Sequence, residues 1–183
     1  MSSDNWKLEK EGKGVAAYTR EVAGSDFREF KVEATVVATV DALIAMQRDI
    51  KNHPKWIDSV KTAELIKEDA DNYYTHTVAN APWPVKNRDS AVRNCISRND
   101  DSSATIEFYS DNSLAPTKKG CERVGAVKGS WQFNPTNNGN VDIIYSAHIE
   151  PGGNIPAWLS NKFSIDVPFN TIQSLVGLIK KYT

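Results

Sequence analysis

Hydrophobic positions along this chain follow two periods, and the switches between them divide it into elements. From Val15 to Arg20 and from Phe27 to Val37, β-branched and aromatic residues surround Gly24-Ser25, which predicts a first hairpin. The period then lengthens. Val40, Leu43, Ile44 and Met46 recur at helical spacing behind Thr39, a suitable N-cap, with Asp41 in the first turn and an end near Ile50. His53-Pro54-Lys55-Trp56 reads as a turn. Beyond it, strands are predicted at Val60 to Lys67, Tyr73 to Asn80, Val85 to Ser97, Ala104 to Ser110, Arg123 to Phe133 and Val141 to Glu150. Loops such as Asp69-Ala70-Asp71-Asn72 and Asn137-Asn138-Gly139-Asn140 make an antiparallel meander the natural connection. The last segment is helical again. After Pro151-Gly152-Gly153, Asn154 can cap a helix whose Ile155, Trp158, Leu159, Ile165, Phe169, Ile172, Leu175, Val176 and Ile179 form a broad apolar face, kinked at Pro168.

These elements make an α+β design, one curved antiparallel sheet whose concave face is covered by the long C-terminal helix. Period-two alternation turns Val141, Ile143, Tyr145, Ala147 and Ile149 inward, against Asp142, Ser146, His148 and Glu150. Val92, Asn94 and Ile96 share a face, and Arg123, Val127, Trp131 and Phe133 share another across Gly125 and Gly129. Asn94 and Arg123 are therefore the inward polar candidates. Either Asn94 bonds a buried backbone group while Arg123 reaches solvent from its strand end, or both hold a polar group at the end of an internal space.

Composition then excludes several functions. With 183 residues, 40% hydrophobic and 25% charged, a single domain over residues 1–183 is expected, with room for a core or a cavity. Twenty-two Lys plus Arg against 23 Asp plus Glu leave a net charge of −1, no footprint for nucleic acid or for strong adsorption to anionic lipid. Any membrane contact is expected to be local or transient. No run approaches the roughly 20 apolar residues of a membrane span, and Met1-Ser2-Ser3-Asp4-Asn5 carries no apolar leader, so the chain as given reads as soluble. Cys95 and Cys121 lack C-x-x-C spacing; free thiols are expected and a disulfide is not demanded. His53, His76 and His148 have no ligand spacing, so neither a metal nor a cofactor is expected. Nucleophile elbows, phosphate loops and dinucleotide fingerprints are absent from the sequence. Lys118 and Lys119 near Cys121 read as a solvated loop pair. Asp166 is either a base facing the interior or a group satisfying backbone freed near Pro168.

One stretch is more specific. Ala81 to Arg93 reads A-P-W-P-V-K-N-R-D-S-A-V-R, in which Pro82 and Pro84 impose a turn or a sheet edge with Trp83 as an apolar anchor. Further elements keep company with it in order: Trp6-Lys7-Leu8, Gly14-Val15 with Tyr18-Thr19-Arg20, Arg28-Glu29-Phe30-Lys31, the His53 turn, Gly129 with Trp131, and Pro151 to Leu159. Over nearly the whole chain this set resembles START domains, the steroidogenic-acute-regulatory-related lipid-transfer family, in their bacterial form. The resemblance implies a helix-grip fold, an elongated apolar tunnel holding one lipid, and no catalysis.

Inward alternation and the resemblance together single out Thr75, Thr77, Val92, Asn94, Ile96, Phe108, Arg123, Trp131, Tyr145, Trp158, Phe169, Ile172 and Val176 as tunnel lining, in a protein expected to be a monomer. Sterol-transferring animal relatives carry an acidic residue and an arginine across the cavity. Here Thr75 or Thr77 and Asn94 stand at those places, so a charged clamp on a sterol hydroxyl is not expected. The alternative from another class is a polyketide cyclase or dehydratase of the same helix-grip superfamily, which needs an acid or base within reach of its substrate. Arg123, Asp166, Tyr73 and Tyr145 are the inward groups open to that role. A lipid sensor that does not transfer is a third reading. Because bacterial relatives often carry a secretory signal ahead of the Trp6-Lys7-Leu8 element, cytoplasmic and exported locations both stay open.

Overall fold

The computed structural model describes residues 5–183, and among them alternating side chains build ten strands. The expected lack of an apolar leader at Met1 to Asp4 concerns positions outside the described residues. The strands are β1 (Lys7–Gly12), β2 (Val15–Arg20), β3 (Glu29–Val36), β4 (Val60–Glu68), β5 (Asn72–Ala79), β6 (Arg88–Arg98), β7 (Ala104–Ser110), β8 (Glu122–Arg123), β9 (Ala126–Pro135) and β10 (Val141–Glu150). They form one sheet in the order β1-β2-β3-β10-β9-β7-β6-β5-β4, antiparallel throughout, with β8 parallel to β6 off that path. Among the described residues three α-helices accompany it: α1 (Val40–Arg48), α2 (Ala157–Asn161) and α3 (Val167–Leu178). Helix α1 starts as its sequence dictates, the Thr39 hydroxyl accepting from the Ala42 amide at 3.1 Å.

Several boundaries differ from expectation, each for a local reason. The charged run Lys7-Leu8-Glu9-Lys10-Glu11 hides β1, which tolerates such residues because it is an edge strand. The strand expected from Val85 begins at Arg88, since the Val85 amide donates to Pro82 and keeps the chain turning. The single strand expected from Arg123 to Phe133 is two. The Val124 amide bonds Asp89 while the Gly125 amide bonds Glu150, so the chain changes partner between β8 and β9. The C-terminal helix begins at Ala157 behind Pro156 rather than at Asn154. Its irregularity lies at Lys162–Asp166, a π-helical turn in which the Val167 amide reaches Lys162, next to Pro168, which has no amide to donate.

One face of the sheet carries the core. Phe30, Val32, Ile106, Phe133 and Ile143 from the strands meet Leu43 and Met46 of α1 and Ile172 and Leu175 of α3 in one buried cluster. Burial of a side chain of that size stabilises by about 1.5–3 kcal/mol, enough to hold α3 against the sheet. Helix α3 packs on β2 and β3, and the final turn at Ile179–Tyr182 packs on α1. Among the described residues no helix is long and apolar enough to cross a membrane.

Candidate functional site

Two loops meet at one end of the sheet, residues 80–87 before β6 and 151–156 before α2, and the Asn87-Arg88-Asp89 run joins them to the strands. Asn87 closes the first loop by accepting from the Ala81 amide at 3.0 Å. Arg88, buried at the start of β6, donates to the carbonyls of Pro151 (3.2 Å), Lys86 (2.5 Å) and Gly152 (2.7 Å). Burial pulls its guanidinium below the usual arginine range, with Glu122 partly opposing. The second loop fits beneath only because Gly152 has φ 72 and no side chain; a Cβ there would lie 2.8 Å from the Arg123 carbonyl.

Between the loops lies a depression of about 540 Å³ lined by Pro84, Val85, Lys86, Asn154, Ile155 and Pro156. Trp83, expected as an apolar anchor at a turn or sheet edge, is 93% exposed at the tip of its loop, and Trp158, expected in the interior, is 59% exposed because Leu159 takes the buried side of α2. A second depression, about 630 Å³, is lined by Lys7, Arg20, Glu21, Arg28 and Glu29 and is a charged surface groove.

Asp89 belongs to the outer face. It lies five residues from Asn94 in an unbroken ladder, so the two side chains point to opposite sides. Its carboxylate, fully buried, takes Arg123 Nε at 3.1 Å, Arg123 Nη2 at 2.9 Å, His76 Nε2 at 2.7 Å and the Lys118 amide at 3.0 Å. Burial works to raise its pKa, but the bonds from Arg123, His76 and Lys118 prevail and hold it at about 2. Arg123 also donates to Asn112 and Ala115. It is therefore separated from the other residues expected around an inner space: its short strand places it beside Asp89, beneath the 111–121 loop.

The inner face brings most of the others together. Thr75, Asn94, Phe108, Trp131, Phe169 and Ile172 are buried, while Thr77, Val92, Ile96, Tyr145 and Val176 are half-buried. Asn94 Nδ2 donates to the Tyr73 carbonyl at 3.1 Å, the backbone-satisfying role. Gly129 lets the Phe108 ring lie against the sheet; a Cβ there would sit 2.6 Å from Phe108 Cζ. Tyr145 stacks on Trp131 at 3.9 Å and 7°. Its half-buried surface coexists with a phenol that burial pushes above the ordinary tyrosine value of 10.0. Val127 and Ile149, likewise half-buried against the core, extend that surface.

His53 and Asp166, two titratable groups with catalytic potential, are otherwise engaged. His53 Nε2 bonds the Gln47 carbonyl at 2.7 Å, and burial lowers its pKa despite that bond. Asp166 pairs with Lys10 at 2.8 Å. Cys95 and Cys121 are free, and no cluster of three or more metal-binding side chains occurs among the described residues. Sequence reasoning missed Arg88 and the His76–Asp89–Arg123 cluster; their only signal was Asn87-Arg88-Asp89 itself, each member of which has a separate partner.

A sequence profile of the START domain matches residues 1–182. The crystal structure of a STAR-related lipid transfer protein from Xanthomonas axonopodis superposes with a TM-score of 0.90 at 33% identity, over 97% of this chain and 99% of that one. An uncharacterized protein of Pseudomonas aeruginosa is 31% identical over 98% of this chain and 89% of its own. The phosphatidylcholine transfer protein of Mus musculus is 23% identical over 100% of this chain and 87% of its own. An aromatase/cyclase from Streptomyces shares the fold alone, with a TM-score of 0.59 at 10% identity over 85% of this chain and 93% of that one. With a helix-grip sheet closed by α3 and a profile spanning the sequence, the chain belongs to the START domain family.

Proposed function

We propose that this protein takes up a single lipid or other hydrophobic molecule between the inner face of its sheet and α3, and carries it without altering it. The observation that carries this reading is Tyr145, partly accessible yet deep enough for burial to raise its pKa. Half-buried Val92, Ile96, Val127, Ile149 and Val176 beside a fully buried core supply the apolar wall. The named relatives, a STAR-related lipid transfer protein and a phosphatidylcholine transfer protein, support the same ligand class.

Loading from a membrane needs an encounter surface, and exposed Trp83 and Trp158 beside the depression at the loop end suit it. Tryptophan favours the membrane–water boundary. The reading is non-enzymatic because the inner wall offers phenols, Tyr73 and Tyr145, whose pKa values burial raises, while His53, His76 and Asp166 are held by other partners. The carrier acts as a monomer on this reading.

Protein stripped of endogenous lipid and titrated with fluorescent fatty-acid, sterol and phospholipid probes should show saturable one-to-one uptake of at least one. Failure of all three refutes the proposal. Movement of bound probe between donor and acceptor vesicles separates a carrier from a sensor, and consumption of a polyketone substrate would favour a cyclase.

A further inference from the structure

The chemistry of the inner wall narrows the ligand class, an inference that rests on the uptake proposed above. Charged side chains at inward register positions sit on the edge strand β1 or at strand ends, and each is engaged. Lys10 pairs with Asp166 at 2.8 Å, Glu68 with Arg48 at 2.9 Å and Arg98 with Asp41 at 2.7 Å, while Arg88 is taken by three carbonyls. Between those ends the inward positions of β5, β6, β7, β9 and β10 are apolar or neutral. An ionised phosphate or ammonium drawn inside would meet no free counter-charge, and an unpaired ion in such surroundings is disfavoured far more strongly than a neutral oxygen.

Tyr145 differs from the other neutral groups. Asn94 is committed to the Tyr73 carbonyl, but the Tyr145 hydroxyl makes no hydrogen bond among the described residues and keeps accessible surface. Its ring is fixed flat on Trp131, with Phe30 edge-on at 5.0 Å and Phe108 at 6.3 Å. A phenol so fixed is a pre-oriented donor, and burial keeps its proton in place. We infer that the ligand is an uncharged lipid, one of whose carbonyl, ester or hydroxyl oxygens accepts a hydrogen bond from the Tyr145 hydroxyl inside the wall.

The test holds the chains constant and varies the head. Stripped protein is equilibrated with vesicles carrying equal traces of dioleoylglycerol, dioleoylphosphatidylcholine and dioleoylphosphatidate, and retained lipid is counted by mass spectrometry. Dioleoylglycerol should be retained at least about tenfold over either phospholipid. Tyr145→Phe keeps the stack on Trp131 and removes only the hydroxyl; it should lower dioleoylglycerol affinity about five- to tenfold while leaving uptake of a pyrene-labelled alkane unchanged. Equal or greater retention of either phospholipid overturns the inference. So does a Tyr145→Phe protein that holds dioleoylglycerol as before, or one that loses the alkane equally, which marks a merely structural tyrosine. Absence of binding by every probe, the alkane included, overturns the uptake reading itself and this inference with it.

Discussion

Replacing Trp83 by alanine tests how the protein meets a membrane. A tryptophan side chain presents roughly 200 Å², and Trp83 at 93% exposure offers nearly all of it. Sinking half of that below the interface removes about 100 Å² from water, which at ~25 cal/mol/Å² stabilises the bound state by about 2.5 kcal/mol. Trp83→Ala should therefore weaken partition roughly 70-fold. Trp158 at 59% exposure offers about 120 Å², so the same reasoning gives ~1.5 kcal/mol and roughly a tenfold loss for Trp158→Ala. The assay is co-flotation with uncharged phosphatidylcholine vesicles at two salt concentrations. Because the net charge is −1 and the contact is aromatic, salt should matter little. An exposed side chain contributes little to folding, so the melting temperature should barely move. Wild-type partition in Trp83→Ala, with the fold intact, would refute the reasoning.

Asp89→Asn tests the outer-face cluster. The folded carboxyl sits at about 2 against an ordinary 3.8, so its stabilisation is present above the ordinary value and is lost as pH falls through about 2. The gap in melting temperature between wild type and Asp89→Asn should shrink across that window, and a constant gap contradicts the assignment. Arg88→Ala removes the donors that join the two loops, so melting should fall and lipid exchange between vesicles should quicken; unchanged exchange removes Arg88 from any part in entry. Asn94→Leu removes the side-chain bond to the Tyr73 carbonyl and buries an apolar group in its place, so stability should fall by about 1 kcal/mol with ligand ranking unchanged. A changed ranking at constant stability would give Asn94 a binding role instead.

Much of this architecture is written in periodicity. The Thr39 cap, the helical face of Leu43 and Met46, and the inward row of β10 are local consequences of side-chain spacing, and the structure keeps each of them. What sequence alone conceals is non-local. Gly125 looks like a residue within a strand, yet its amide is claimed by Glu150, and that exchange carries Arg123 to the outer face beside Asp89. The turn at Trp83 is legible from its flanking prolines, whereas the near-complete exposure of its ring depends on a loop reaching past the ends of β5 and β6. The fate of Asn94 turns on a carbonyl 21 residues away. Tyr145 was legible as inward; that its hydroxyl has no partner among the described residues required every neighbouring side chain to be in place.

One lipid per chain is expected in the interior. A native mass spectrum of freshly purified protein, repeated after incubation with mixed-lipid vesicles, tests this directly. The predicted result is a complex heavier than the 20.3 kDa chain by the mass of a single lipid, released intact on denaturation. The bare chain mass in both spectra, before and after incubation, would contradict it.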